Sequence, residues 1–245
     1  LTAYYEDAYA DSSYWEHEHE QGTVAALEKI LRAVTDTLRP QHLSLLDIGC
    51  GPGVFLSLAK AAGFDVVGLE LNPALAERAR QRTGAEIIIG DFMTADFQQR
   101  RFDAITLLDL IEHLEDPVSA LKRCHELLKP GGHLIVYTPN HKSLIVRIAD
   151  LIHRLSGGRL SGPVHEIFDG VHVVFFDVDS LAQAFRRADL RVAATTMLRY
   201  DPSRSGQAKG LSALGLRGIE MISPLVRGQF RILMFGRKDD ETNKS

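Results

Sequence analysis

Apolar positions along this chain follow two rhythms. Val24, Leu27, Ile30, Leu31, Val34 and Leu38 return at helical spacing, which predicts an amphipathic helix that stops before Pro40. Beyond it the pattern shortens to compact apolar runs at about 43–48, 64–70, 86–92, 102–108 and 133–140, separated by stretches of helical character. Strands alternating with helices imply crossover connections, and crossovers imply a parallel sheet with helices on both faces. Two more strands are expected near 190–198 and 228–236, after a helix at Leu181–Arg187. A hairpin of these two would set the last strand antiparallel, so the expected fold is α/β, a Rossmann-like seven-stranded sheet that is mostly parallel.

Four stretches break this rhythm inside what reads as one domain over 1–245. Residues 1–22 carry Tyr4, Tyr5, Tyr9, Tyr14 and Trp15 among acids, an aromatic density that fits a flap over a ligand or an arm docked on the core. His17-Glu18-His19-Glu20 reads as a solvated charged turn, because i,i+2 neighbours do not share a helix face. In the insertion 141–170, Leu144, Ile148, Leu151, Ile152 and Leu155 form an apolar stripe flanked by Lys142, Arg147, His153 and Arg154. A substrate lid, a homodimer surface, a peripheral membrane contact through 144–155 and packing on the core all suit that stripe. The Gly- and Ser-rich insertion 199–227 and the polar tail 238–245 complete the set.

Composition narrows the function classes. With 45% hydrophobic and 24% charged residues among 245, the chain is globular, and a formal charge of −4 gives no general attraction to nucleic acid. Arg78, Arg80 and Arg82 read as one solvated helix face. Two cysteines, Cys50 and Cys124, make no disulfide framework and suit a reducing cytoplasm. No metal-ligand spacing is present, and no apolar run approaches the roughly 20 residues of a membrane span.

The candidate chemistry begins at Leu45-Leu46-Asp47-Ile48-Gly49-Cys50-Gly51-Pro52-Gly53, an apolar run that ends in a carboxylate and breaks into glycines two apart. Glycines let backbone approach a ligand, and the helix expected from Val54 puts that loop at a helix N-terminus. A dinucleotide fingerprint would need its third glycine where Val54 stands. A carboxylate at Asp47 would repel a pyrophosphate and attract an ammonium or sulfonium group. Glu70 ends the second strand at about the offset where an acid meets a ribose, and Asn72 caps the following helix with Pro73 at its first position.

The G-x-G-x-G loop after a strand-terminal Asp resembles motif I of the class I S-adenosylmethionine (SAM)-dependent methyltransferases. A second block is more specific. Glu112-His113-Leu114-Glu115-Asp116-Pro117, followed by Leu128-Lys129-Pro130-Gly131-Gly132, resembles the subgroup that includes the ubiquinone-biosynthesis O-methyltransferases. His172, Phe176 and Leu181 resemble its H-x-x-x-F-x-x-x-x-L pattern, although Ala188-Asp189-Leu190 departs from the usual A-G-F ending. The likeness is good over about 43–140 and poor at the ends. It implies SAM as cofactor, S-adenosylhomocysteine as product, and a binding set of Asp47, Gly49, Cys50, Gly51, Gly53, Glu70, Leu71, Asp91, Phe92, Leu108 and Asp109. Asp91 would accept from the adenine amino group, and Phe92 would offer its backbone N–H and ring contact.

Methyl transfer from a sulfonium is an in-line displacement, in which the protein aligns the reactants and excludes water. A hydroxyl acceptor would also need a base, and His is the side chain that titrates near neutrality. Position near the carboxyl ends of the strands selects His113 and His172, with His141 third. Asp109-Leu110-Ile111-Glu112 lacks the N/D-P-P-Y/F-like tetrad of enzymes that methylate nucleic-acid amines. The expected activity is therefore SAM-dependent methyl transfer to a small organic acceptor, through the oxygen of a phenol, quinone precursor or sugar. Transfer to carbon or nitrogen, a SAM- or nucleotide-binding protein without catalysis, and a nicotinamide-dependent dehydrogenase are the rival readings, the last disfavoured by Val54 and Asp47.

Overall fold

The computed structural model describes residues 17–157, 172–199, 218–219, 221–226 and 228–240. The aromatic segment 1–16, the second half of the 141–170 insertion, all of 200–217 and the end of the tail lie outside them. No helix among the described residues is long and apolar enough to cross a membrane.

Seven strands form one sheet in the order β3-β2-β1-β4-β5-β7-β6. They are β1 (Ser44–Ile48), β2 (Asp65–Glu70), β3 (Glu86–Ile89), β4 (Phe102–Leu108), β5 (Leu128–Pro139), β6 (Arg191–Leu198) and β7 (Arg231–Arg237). β1 pairs parallel with β2 and β4, and β2 with β3. β7 runs antiparallel to β6, as expected, with a register shift between Val192 and Ala194. By its internal contacts the chain falls into two compact units. One comprises the residues up to Leu107 with Glu126–Leu134 and the residues from Lys238; the other comprises Leu108–His125 and Ile135–Arg237.

In the first unit, α1 (His17–Leu38), α2 (Val54–Ala61) and α3 (Pro73–Thr83) pack in succession. α1 begins seven residues before the apolar pattern does, and buries Ala26, Leu27, Ile30 and Val34. β1 is buried at four of its five positions, which is why Leu45, Leu46 and Ile48 do not alternate with exposed polar residues. Gly53, at φ 77°, is demanded by packing: a Cβ there would stand 2.9 Å from Cα and Cβ of Ala79 on α3. Phe92, Phe97 and Phe102 form an edge-to-face chain with centroids 6.5 and 6.2 Å apart.

In the second unit, α4 (Pro117–Leu127) opens after Asp116, while α5 (Leu144–Leu155) and α6 (Val178–Arg187) start at side-chain caps. Ser143 accepts from the Val146 N–H, and Asp177 and Ser180 make a reciprocal capping box. α5 spans the predicted residues, and Leu144 and Ile148 of its apolar stripe are half-buried. Ile145, Val146 and Ala149 are buried, the first two clustered with Phe230, while Leu151, Ile152 and Leu155 of the apolar stripe are exposed. Its first turn is tied down by the Leu144 N–H donating to the Gly228 carbonyl at 2.8 Å. β5 starts at Leu128, five residues early, because Gly131 and Gly132 exchange backbone hydrogen bonds with Lys238 instead of turning freely.

Asn72 is the N-cap of α3, its Oδ1 accepting from the N–H groups of Ala74 (2.8 Å) and Leu75 (3.2 Å). Asn72→Ala should lower stability by about 1 kcal/mol, the usual cost of a lost side-chain cap. Urea denaturation of the two proteins checks this, and an unchanged midpoint would show that the cap contributes nothing.

Candidate functional site

The first unit builds a cradle at the carboxyl ends of β1, β2 and β3. Gly49, Gly51 and Gly53 all take left-handed backbone, and the N–H groups of Gly49 and Cys50 donate to the Leu69 carbonyl at 2.8 and 3.0 Å. Gly51 differs from Gly53 in one respect that bears on ligands: a Cβ on it would meet nothing within 4 Å. The loop therefore offers open space at Gly51 and close packing at Gly53.

Glu70, at the end of β2 and only 8% exposed, accepts the Gly51 N–H on Oε2 and the Asn72 N–H on Oε1, both at 2.8 Å. Each carboxylate oxygen has two lone pairs, so both can still accept from a vicinal diol. Asp47 is more deeply placed than the sequence suggested, at 2% exposure, with Thr106 Oγ1 donating to its Oδ1 at 2.6 Å. Burial raises its pKa to about 7, the nearby Glu70 charge adds to the rise, and the Thr106 hydroxyl opposes it. The buried Cys50 thiol is likewise pushed up, chiefly by desolvation, and stays neutral.

Around the cradle, Leu71, Ile89 and Met93 are the large hydrophobic residues that the first unit exposes among the described residues. All three follow or end β2 and β3, and Ile89 is the register partner of Glu70. They form an apolar surface beside the Glu70 carboxylate, one that could take a planar base. Asp91 is exposed, and its Oδ1 accepts the Met93 N–H at 2.8 Å. The Phe92 ring is buried against Phe97, so ring contact with an adenine is not its geometry here. Leu108 is half-buried.

The second unit gathers a different chemistry. Asp109, in left-handed backbone at φ 51°, is held by its N–H to the Tyr137 carbonyl and by an ion pair with Arg231. That guanidinium lies 5.2 Å from the ring centroids of both Tyr137 and Phe230. The short 3-10 helix Ile111–His113 then places Glu112 inward, 2% exposed, with Oε2 accepting from Thr138 Oγ1 at 2.9 Å. Its other oxygen, Oε1, is buried without a hydrogen-bond partner. Burial first, then the Asp109 charge, raises the Glu112 pKa.

The Glu112 carbonyl also accepts the N–H groups of Val173 and Val174, at 2.9 and 3.0 Å. This hangs the loop after residue 171 on the 3-10 helix and brings His172 to His113, ring centroids 4.9 Å apart. Sequence placed both histidines as candidates, and the structure joins them. His141 stands 5.1 Å from the Phe175 ring. Glu112, His113 and His172 each direct a donor atom into one cluster, all within 4.8 Å of one another, a set able to hold a metal ion. The sequence showed no such spacing because the two histidines come from distant segments. Thr106, Thr138 and Arg231 were also missed, since nothing local marks a hydroxyl or guanidinium that meets its carboxylate across the fold.

A Rossmann-like sheet with a glycine cradle and an acid at the end of β2 is the architecture of SAM- and dinucleotide-binding enzymes, and the family comparison decides for a SAM-dependent methyltransferase. The chain belongs to the methyltransferase-domain family, whose sequence model matches residues 14–195. It is 30% identical over 203 residues to the ubiquinone biosynthesis O-methyltransferase of Xanthomonas axonopodis pv. citri, covering 78% of this chain and 81% of that one. The Xanthomonas oryzae pv. oryzae protein of the same name is 29% identical over the same span. Among solved structures, the magnesium protoporphyrin IX methyltransferase of Synechocystis with bound S-adenosylhomocysteine superposes with a TM-score of 0.66 at 14% identity, covering 97% and 98% of the two chains. A SAM-dependent methyltransferase of Thermotoga maritima, described as a possible histamine N-methyltransferase, gives 0.64 at 22%, covering 96% and 98%.

The raised pKa of Asp47 fixes a sign for the pH dependence of the ligand-free protein. Between about pH 4 and 7 the unfolded chain has lost the Asp47 proton and the native state keeps it, so stability falls as pH rises through that window. Glu112 acts in the same sense, so the variant must be compared with wild type. Asp47→Asn should remove a loss on the order of 2–3 kcal/mol between pH 4.5 and 7, read from urea denaturation at the two pH values. Parallel pH profiles for the two proteins would mean that Asp47 is ionised in the native state.

Proposed function

We propose that this methyltransferase acts on a hydroxyl oxygen of a small organic acceptor, a phenol, quinone precursor or sugar, with the His113–His172 pair supplying the base. The joining of these two rings beside a buried carboxylate carries the reading. The names of the Xanthomonas relatives support transfer to oxygen.

In this reading the Gly49–Gly53 loop passes the cofactor at Gly51, Glu70 accepts from the ribose hydroxyls, and Leu71 covers the adenine, whose amino group Asp91 accepts from. Asp47 and Cys50 support the loop from beneath, and Asp109 braces the second unit through Arg231. The reaction needs no covalent enzyme intermediate. The acceptor O–H passes its proton to a histidine nitrogen while oxygen bonds to the methyl carbon and the carbon–sulfur bond breaks, leaving a neutral thioether. α5 serves as a lid hinged at its packed first turns, its exposed half closing over acceptor. Two free, buried thiols accord with a reducing cytoplasm.

The structure alters what the base should look like in a pH profile. Burial, then the His113 and Arg231 charges, lowers the His172 pKa to about 4, with Asp109 opposing. If His172 is the base, turnover should fall only below about pH 4 to 5, not near the 6.5 of a free histidine. His172→Ala should then reduce kcat by roughly 10²–10⁴-fold with SAM affinity unchanged. The same loss in His113→Ala, with an intact profile in His172→Ala, would assign the base to His113. Full turnover in both variants would refute the histidine base.

A second reading is favoured by the unpartnered Oε1 of Glu112. Glu112, His113 and His172 would hold a divalent cation there, which would supply a Lewis acid to acidify the acceptor hydroxyl. Turnover abolished by chelation and restored by added cation would support it. Activity indifferent to chelator, with the histidine effects above, leaves general-base catalysis alone.

A further inference from the structure

A groove of about 380 Å³ opens at the amino ends of β1, β2 and β4, the end of the first unit opposite the glycine cradle. Its lining includes Phe64 and Phe102, packed at 3% and 2% exposure, with the half-buried Val66 and Val67, so its floor is apolar. Lys60, Arg100 and Arg101 stand along its rim. Their charges are not equally engaged. Arg100 is matched by a bidentate pair with Glu86 at 2.7 and 2.8 Å, whereas Lys60 gives one hydrogen bond to the Thr83 carbonyl and Arg101 one to the Arg100 carbonyl. Among the described residues, no carboxylate pairs with Lys60 or Arg101. An ammonium has three donors and a guanidinium five, so most of their hydrogen-bonding capacity faces outward. The one acid in the lining, Asp65, is turned toward His42 at 3.8 Å.

We propose that this groove is a second small-molecule site, for an anion with an apolar body: a carboxylate or phosphate head between Lys60 and Arg101, and a hydrocarbon or aryl part over Val66, Val67 and Phe102. Its volume lies within the range of small-ligand sites. Neither half of the recognition suffices alone. Two exposed cations hold a bare anion weakly in water, and an open apolar floor gives no orientation. Because ligands of open α/β sheets bind at the carboxyl ends of the strands, an occupant here would share no residue with the cofactor cradle.

The test uses phenyl phosphate, with inorganic phosphate and benzyl alcohol as the head and body alone, followed by backbone amide NMR shifts of the full chain. Phenyl phosphate should shift the amides of Asp65, Val66, Val67, Ala85 and Arg101, and bind at least about tenfold more tightly than either fragment, a difference of 1.4 kcal/mol. Arg101→Glu should weaken it by at least about fivefold and Lys60→Gln by a smaller factor, with SAM affinity unchanged in both. Shifts confined to the second unit, equal binding of inorganic phosphate, or an Arg101→Glu variant with undiminished affinity would each overturn the proposal.

Discussion

Glu70 is the charge on which the glycine cradle depends. The loops after β1 and β2 each present a half-buried backbone N–H, from Gly51 and from Asn72, and one carboxylate satisfies both. The same residue fixes the entry to α3, because the Asn72 it holds is the cap of that helix. Left-handed backbone at Gly51 is thereby held open, and the ligand surface exists before any ligand arrives. Preorganisation of this kind lowers the ordering cost of binding.

The second unit repeats the device with a different result. Glu112 organises through its main chain, whose carbonyl gathers Val173 and Val174, while its side chain remains half satisfied. A buried carboxylate with one orphan oxygen is costly, and such groups persist mainly where they serve function. Asp109 is treated otherwise: its charge is matched by Arg231, whose guanidinium is itself sandwiched near two rings. The two acids, three residues apart, thus have opposite fates, one neutralised by a partner and the other by its surroundings.

Much of the fold was legible because burial on both faces makes β1, β4 and the second half of β5 predominantly apolar without strict alternation, and because Asn72-Pro73 announces a helix start, whereas the cap at Asp177 was missed and α6 begins at Val178 and not at Leu181. The glycine loop and the E-H pair were equally visible. What escaped was set by distance along the chain. Arg231 reaches Asp109 over 122 positions, and no local pattern encodes that. The facing of α5 was left open in the sequence, because Ile145, Val146 and Ala149 make as good a helical stripe as Leu151, Ile152 and Leu155, and it is Ile145 and Val146 that meet Phe230. Gly53 looked like a ligand glycine, although the close approach of Ala79 already accounts for it.

The position of β7 has a consequence for how the chain is made. β7 follows every other strand in sequence yet lies between β5 and β6, so β6 is synthesised before the strand that joins it to the sheet exists. Until β7 leaves the ribosome, both of these neighbours have unpaired edges, the condition in which nascent chains are most prone to associate wrongly. Arg231, the first residue of β7, arrives with it, so Asp109 waits for its counter-charge over the same interval. The residues of the glycine cradle, from Asp47 to Thr106, all precede β7 in the chain. The histidine cluster gains its Arg231–Asp109 brace only once β7, the last of the seven strands in sequence, has been made.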